Sequence, residues 1–270
     1  MAGAVIPLLA IGVFLAGGGS GSGSAPLAER KNPLLPDLAM APIEYADGSF
    51  GGADGTSGNR PYLRFGATIQ NLGAGDFMLA GRRSWPVSDD WAVTQRIAEA
   101  GGGFTERATG AGMIWGGDRH DHWHVRAVEA HRLERVDTGE VVAEVVKQGF
   151  CFFDVDVVKP PMAGAPEKAR WLETACDGRF STSLTVGLSV GWADIYPPDM
   201  VEQHMELTGI PDGRYRIREI ADPFNWFDEL DETNNETWVE VDISTVGGFA
   251  RVTLVPGSQG PASPTPSQAP

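Results

Sequence analysis

A chain of 270 residues with 42% hydrophobic content is long enough to bury a sizeable core in one domain flanked by tails. Its formal charge of −15 argues against nucleic acid or an anionic membrane surface as partner and suits cationic ligands such as amines or basic proteins. The only cysteines, Cys151 and Cys176, form either one bridge, contributing about 3–4 kcal/mol, or a pair of buried thiols.

Residues 1–28 read as a signal-peptide-like segment and linker. Ala4 to Ala16 is an apolar run too short for an ordinary membrane span, and Gly17 to Ala25 is a small-residue stretch suited to processing. The expected location is therefore secreted or extracytoplasmic, with no membrane attachment after processing. No Lys or Arg precedes Arg30, so the basic start of such a segment is missing, and no nearby cysteine offers a lipid anchor.

Residues 29–255 form the expected domain. Tyr62 to Ile69 sets Leu63, Phe65, Ala67 and Ile69 on one face of a strand, and Asn71 to Gly75 follows as a turn. Further strands are expected over Trp123 to Val136, Glu140 to Val158, Arg214 to Ile220, Thr237 to Ile243 and Arg251 to Val255. Helical periodicity rises only around Trp91 to Ala100, while Gly81 to Gly117 and Lys159 to Val190 read as loop-dominated. Short strands between Gly, Pro, Asn and Asp turns predict an all-β sandwich, a signature that barrels share. Residues 256–270, rich in Pro, Ser, Gly and Gln, read as a disordered tail.

Three of the five histidines fall in His120-Asp121-His122-Trp123-His124. On a strand, alternate residues share a face at steps of about 7 Å, so a twist or bend lets three imidazoles converge on one ion. An all-nitrogen set without thiolate points to copper(II), or to zinc with an open position.

Around these residues the chain resembles the catalytic domain of the lysyl oxidase family, secreted copper amine oxidases that carry a lysine tyrosylquinone cofactor. The resemblance runs from about Leu35 to Ile243. Leu63-Arg64-Phe65, Asn71 and Asp76-Phe77 are similar to the strand and turn ahead of the copper site, and His120, His122 and His124 match its His-x-His-x-His motif. Lys147-Gln148-Gly149-Phe150-Cys151, with Asp154 after it, looks like the Lys-x-x-Phe-Cys segment that supplies half of the cofactor. Gly191 to Tyr196 is similar to the segment ending Asp-x-Tyr, which supplies the other half.

The resemblance implies an oxidative deamination of primary amines, or of lysine-containing proteins, by dioxygen. Lys147 and Tyr196 would be crosslinked into the quinone beside copper on His120, His122 and His124. His131 matches a histidine proposed as the proton-abstracting base. On a regular strand it has the opposite parity to the three ligands, so it needs a bulge or a neighbouring strand to reach the site. Asp121 and Asp194 are the carboxylate alternatives.

Glu229-Leu230-Asp231-Glu232-Thr233-Asn234-Asn235 resembles a calcium-binding run of the family, with Glu229, Asp231, Asn234 and Asn235 as ligands and Asp37 and the backbone of Leu38 as partners from the other end of the domain. The alternative is an acidic, Asn-rich turn. Asn235-Glu236-Thr237 is also a glycosylation sequon. The chain departs from the animal enzymes in a longer Gly81 to Arg119 segment, in Gly117 where they have a further histidine, and in a cysteine framework reduced to one possible bridge. The loop changes leave the substrate open, while the few cysteines and the short chain favour a microbial secreted form. Two rival readings remain, a three-histidine metalloenzyme without a quinone and a calcium-stabilised β-sandwich binding module.

Overall fold

The computed structural model describes residues 32–43, 62–116, 121–146, 149–198, 204–246 and 249–260. His120, Lys147 and the signal-like segment 1–28 lie outside the described residues. The fold is an all-β sandwich, without α-helix among the described residues.

One five-stranded sheet orders Val141–Val146, Glu129–Arg135, Gly213–Ala221, Glu236–Val246 and Phe249–Leu254, all antiparallel neighbours. Its inner face carries Leu133, Tyr215, Ile217, Val241 and Ile243, which close over Leu63 and Phe65 to make one core. Its other face carries cross-strand ion pairs, among them Arg214 with Asp242, Arg216 with Glu240 and Arg132 with Glu144. Such exposed pairs are worth about 0–1 kcal/mol each, so burial of the apolar face dominates the stability of this sheet.

A second sheet orders Pro33–Leu34, Ala92–Glu99, Phe77–Arg82 and Ser183–Leu188, with Phe104–Ala108 also on Ala92–Glu99. A third orders Asp156–Val157, Trp192–Tyr196, Ala67–Asn71 and Leu38–Met40. Leu79, Phe77, Phe150, Phe152, Trp192 and Tyr196 are among the residues of the other core. Asn71 ties these parts together. Its Oδ1 accepts from the Asp37 and Gly73 amides, and its Nδ2 donates to the carbonyls of Gly75 and Leu188.

Several elements differ from the sequence expectation. The Tyr62 to Ile69 strand is two strands, Tyr62–Arg64 and Ala67–Asn71, which pair with different partners and feed different cores. All four of its apolar positions are buried, yet on either side of a break at Phe65-Gly66. The helical periodicity at Trp91 to Ala100 is overturned: Ala92–Glu99 is a strand whose Val93, Gln95 and Ile97 point inward. With Phe104–Ala108 and Met113–Trp115 it fills much of the segment read as loop. In Lys159 to Val190 the structure adds the strand Ser183–Leu188 and a 3-10 turn, Glu173–Cys176. Trp123 to Val136 divides into Trp123–Val125 and Glu129–Arg135 at a turn where Ala127 has φ 55°. The described part of Glu140 to Val158 holds Val141–Val146 and Asp156–Val157. The stretch expected to be a disordered tail begins with a bonded segment, in which Gly260 and Trp238 exchange backbone hydrogen bonds. The cysteine alternatives resolve to a bridge, Cys151 to Cys176.

Candidate metal and cofactor site

Strand alternation puts His124 on the face opposite Trp123, and His122, in the bend just before the strand, turns its ring towards that of His124. The pairing of Met113–Trp115 with Trp123–Val125 fixes that register, with Ile114 opposite His124 and Trp115 opposite Trp123. The two imidazoles turn their Nε2 atoms to within 3.1 Å of each other, and both rings are buried. That spacing fits joint ligation. With metal–nitrogen bonds of about 2.0 Å, two cis nitrogens on one ion stand about 3 Å apart. Glu173 brings Oε1 to 3.5 Å from His122 Nδ1, where a carboxylate orients a metal-ligating ring.

The Gly149 to Cys151 stretch lies against this strand. Val125 and Phe150 exchange backbone hydrogen bonds of 2.7 and 2.9 Å. Gly149 comes so close to the histidine strand that a Cβ there would sit 2.4 Å from His124 Cβ, so the position admits only glycine. Next along, the Cys151 amide donates to the Tyr196 hydroxyl at 3.4 Å, and the rings of Phe150 and Tyr196 pack with centroids 4.4 Å apart. Tyr196 is buried at the end of Trp192–Tyr196, opposite Ala67. The bridge from Cys151 to Cys176 then leads back to the turn that holds Glu173 beside His122.

The described residues of the motifs thus meet in one neighbourhood. His122, His124 and Tyr196 are tied together through Val125, Phe150, Cys151 and the disulfide. Asp154 supports the surrounding loops by accepting from the amides of Arg170, Trp171 and Ser189 and from the Ser189 hydroxyl. Asp194 is fully buried two residues before Tyr196 on the same strand face, whereas Asp121 is exposed.

His131 is placed differently. The turn at Ala127 moves it into the five-stranded sheet, where its ring packs on Phe65 at 4.4 Å. Its Nε2 is 3.5 Å from Glu129 and its Nδ1 3.9 Å from Glu219, all three side chains being buried. The two flanking carboxylates escaped sequence reading because each occupies an inward position that alternation assigns to an apolar residue.

The acidic run near the C-terminus folds onto the start of the domain. Asn234 donates to Asp37 at 2.8 Å, Asn235 donates to Glu229 at 2.9 Å, and the Leu38 amide also donates to Glu229. The side-chain oxygens of Asn234 and Asn235 are buried and accept no hydrogen bond. Burial pushes the Glu229 carboxyl up to about 9, opposed by its hydrogen bonds to Leu38 and Asn235. Burial likewise raises Asp37, opposed by its bond from Asn234. Two desolvated carboxylates beside two unsatisfied amide oxygens are a donor set suited to a hard cation. Asp231 is spent on a turn, accepting from the amide and hydroxyl of Thr233. Asn235 is buried with its amide committed to Glu229, which leaves the sequon without an accessible acceptor. Among the described residues, no group of three or more His, Cys, Asp or Glu side chains is arranged to hold a metal.

The Glu229 carboxyl gives a stability prediction for chelator-treated protein. Below pH 4.5 folded and unfolded chains both hold its proton. Between there and about 9 the unfolded chain releases it while the folded chain keeps it, so stability falls as pH rises through this window. Thermal melts from pH 5 to 9 should show that slope, and Glu229→Gln should flatten it; an equal slope in both proteins would contradict the assignment.

No family model matches the chain. It is 27% identical over 179 residues to lysyl oxidase homolog 3 of Homo sapiens, covering 66% of this chain and 18% of that protein. Lysyl oxidase homolog 2 of Xenopus tropicalis is 29% identical over 185 residues, and that of Homo sapiens 26% over 189, each covering 67% of this chain and 18% of the relative. The chain thus spans less than a fifth of the length of these relatives. The matches support a lysyl oxidase-like relationship. Among the described residues no helix is long and apolar enough to cross a membrane.

Proposed function

We propose that this chain is a secreted, copper-dependent amine oxidase that acts on primary amines, including the lysine side chain, with a cofactor made from its own Lys147 and Tyr196. The observation that carries the reading is the convergence of the His122–His124 nitrogen pair, the Gly149 to Cys151 segment and the Tyr196 hydroxyl in one hydrogen-bonded neighbourhood. When present, copper and the Lys147–Tyr196 quinone supply the oxidation of an amine by dioxygen and water to aldehyde, ammonia and hydrogen peroxide.

The chain's own residues do the rest. His122 and His124, with His120 as third ligand, hold the metal, and Glu173 orients His122. The Cys151 amide donates to the Tyr196 oxygen and fixes where it points. Phe150 packs edge-on against the same ring, which is buried. Asp194, on the strand face of Tyr196, would accept the substrate proton, whereas His131 lies in the five-stranded sheet against Phe65, Glu129 and Glu219. Calcium on Asp37, Glu229, Asn234, Asn235 and the Leu38 backbone, with Asp231 at the rim, would clasp the two ends of the domain. Added calcium should then raise the melting temperature more at pH 8 than at pH 5, since ionised Glu229 is the liganding form.

Phenylhydrazine, which traps a quinone carbonyl, tests the reading. Copper-loaded parent protein should take up one equivalent, and Lys147→Arg should bind copper but take up none. Parent-like amine oxidation by Lys147→Arg would sink the proposal. It would leave the three-histidine metalloenzyme, while absence of copper binding would leave the calcium-stabilised binding module.

A further inference from the structure

The face of Trp123–Val125 opposite the histidines is built around one buried arginine. Arg83 is 8% exposed, and its guanidinium donates to three loop carbonyls: from Nε to Ser181 at 2.8 Å, from Nη1 to Ser88 at 2.8 Å and from Nη2 to Arg179 at 2.6 Å. Its planar group also meets two indoles, with Cζ 4.8 Å from the Trp91 centroid and 4.6 Å from that of Trp123. Trp123 is enclosed further by edge contacts with Trp91 at 4.9 Å and Trp115 at 5.4 Å, and its Nε1 donates to Gly178 at 3.1 Å.

Charge-assisted hydrogen bonds and cation–π contact are strong where water is excluded, so this arrangement resists displacement. Trp123 lies between His122 and His124 in the chain, so a backbone shift that follows its indole would carry the two flanking rings with it, and their nitrogens now stand 3.1 Å apart.

We propose that Arg83 is a positioning residue for copper: by locking Trp123 against Trp91 and the loops at 83–91 and 178–182, it sets the spacing of His122 and His124. This rests on the copper reading above. Lysine cannot replace it, because a point charge has neither the planar fork that reaches three carbonyls nor a flat face to lie on indole. Loss of outer-shell support costs metal sites about 10–100-fold in affinity.

The test uses the full chain, with copper(II) titrated against a competing chelator and the loaded protein examined by electron paramagnetic resonance. Arg83→Lys should fold, bind copper at least about tenfold more weakly and show an altered copper hyperfine splitting. Trp123→Phe, which keeps a ring but loses the bond to Gly178, should move both readouts in the same direction by less. Parent-like affinity and spectrum in folded Arg83→Lys would overturn the proposal. If Arg83→Lys does not fold, the same parent-like result for Trp123→Phe overturns it. A parent chain that binds no copper at its histidines would fail the copper reading itself.

Discussion

Tyr196→Phe should abolish amine oxidation and uptake of carbonyl reagent altogether while leaving the fold and copper binding in place. The substitution removes the oxygen from which a quinone must form, so no residual cofactor chemistry survives. The structural cost is small. The ring remains packed on Phe150, and loss of the hydrogen bond from the Cys151 amide costs about 1 kcal/mol. Activity assays, phenylhydrazine titration and melting curves on the same preparation separate these effects. Residual turnover above background would show that Tyr196 is a packing residue and that the oxidation runs without it.

Gly149→Ala should have the second largest effect, on stability and on copper together. The added methyl would meet His124 Cβ at 2.4 Å and the Val125 carbonyl oxygen at 2.9 Å, both parts of the histidine strand rather than a movable side-chain end. The Val125–Phe150 bridge must open to admit it. Overpacking of this kind costs about 1–3 kcal/mol or more, and the same displacement separates the histidine strand from the segment leading to Tyr196. Copper affinity should fall by at least about tenfold, as for other losses of support around a metal site. Gly101→Ala is the matched control, because a Cβ there meets nothing within 4 Å; its stability should stay within about 0.5 kcal/mol of the parent. Equal behaviour of the two variants would contradict the tight approach at Gly149.

How much of this was legible in the sequence varies along the chain for physical reasons. Gly213–Ala221 and Glu236–Val246 announce themselves because one face of their sheet is apolar and the other charged, which makes alternation plain. Ala92–Glu99 hides it. Gln95 occupies an inward position and is satisfied there by the Asp228 backbone, to which it both donates and accepts. With a polar residue breaking the period of two, Val93 and Ile97 remain four apart and mimic a helical face. Tyr62 to Ile69 misleads in the opposite way, since its alternation is regular across a point where the chain leaves one core for the other. There Gly66 lets the backbone pass close to Pro198 and the Tyr196 carbonyl.

At the site, the spacing of His122 and His124 encodes their shared face, because a period of two is a property of the strand itself. The contacts that make a site of them are not local. The Glu173 carboxylate beside His122, the Cys151 amide on Tyr196 and the Arg83 guanidinium against Trp123 each join residues tens of positions apart. Such pairings follow from how the strands are ordered in three dimensions. The parity of His131 illustrates the same limit. A single turn at Ala127 cancels any argument that counts from His124, and the residue then falls between Glu129 and Glu219.

Peptide mass spectrometry of the full chain, copper-loaded and exposed to air, tests the central claim most directly. A Lys147 peptide covalently joined to a Tyr196 peptide is the predicted result, and it should be absent from protein kept free of copper. Recovery of the two peptides only as separate species, from protein shown to carry copper at its histidines, would contradict a self-made quinone and with it the amine oxidase reading.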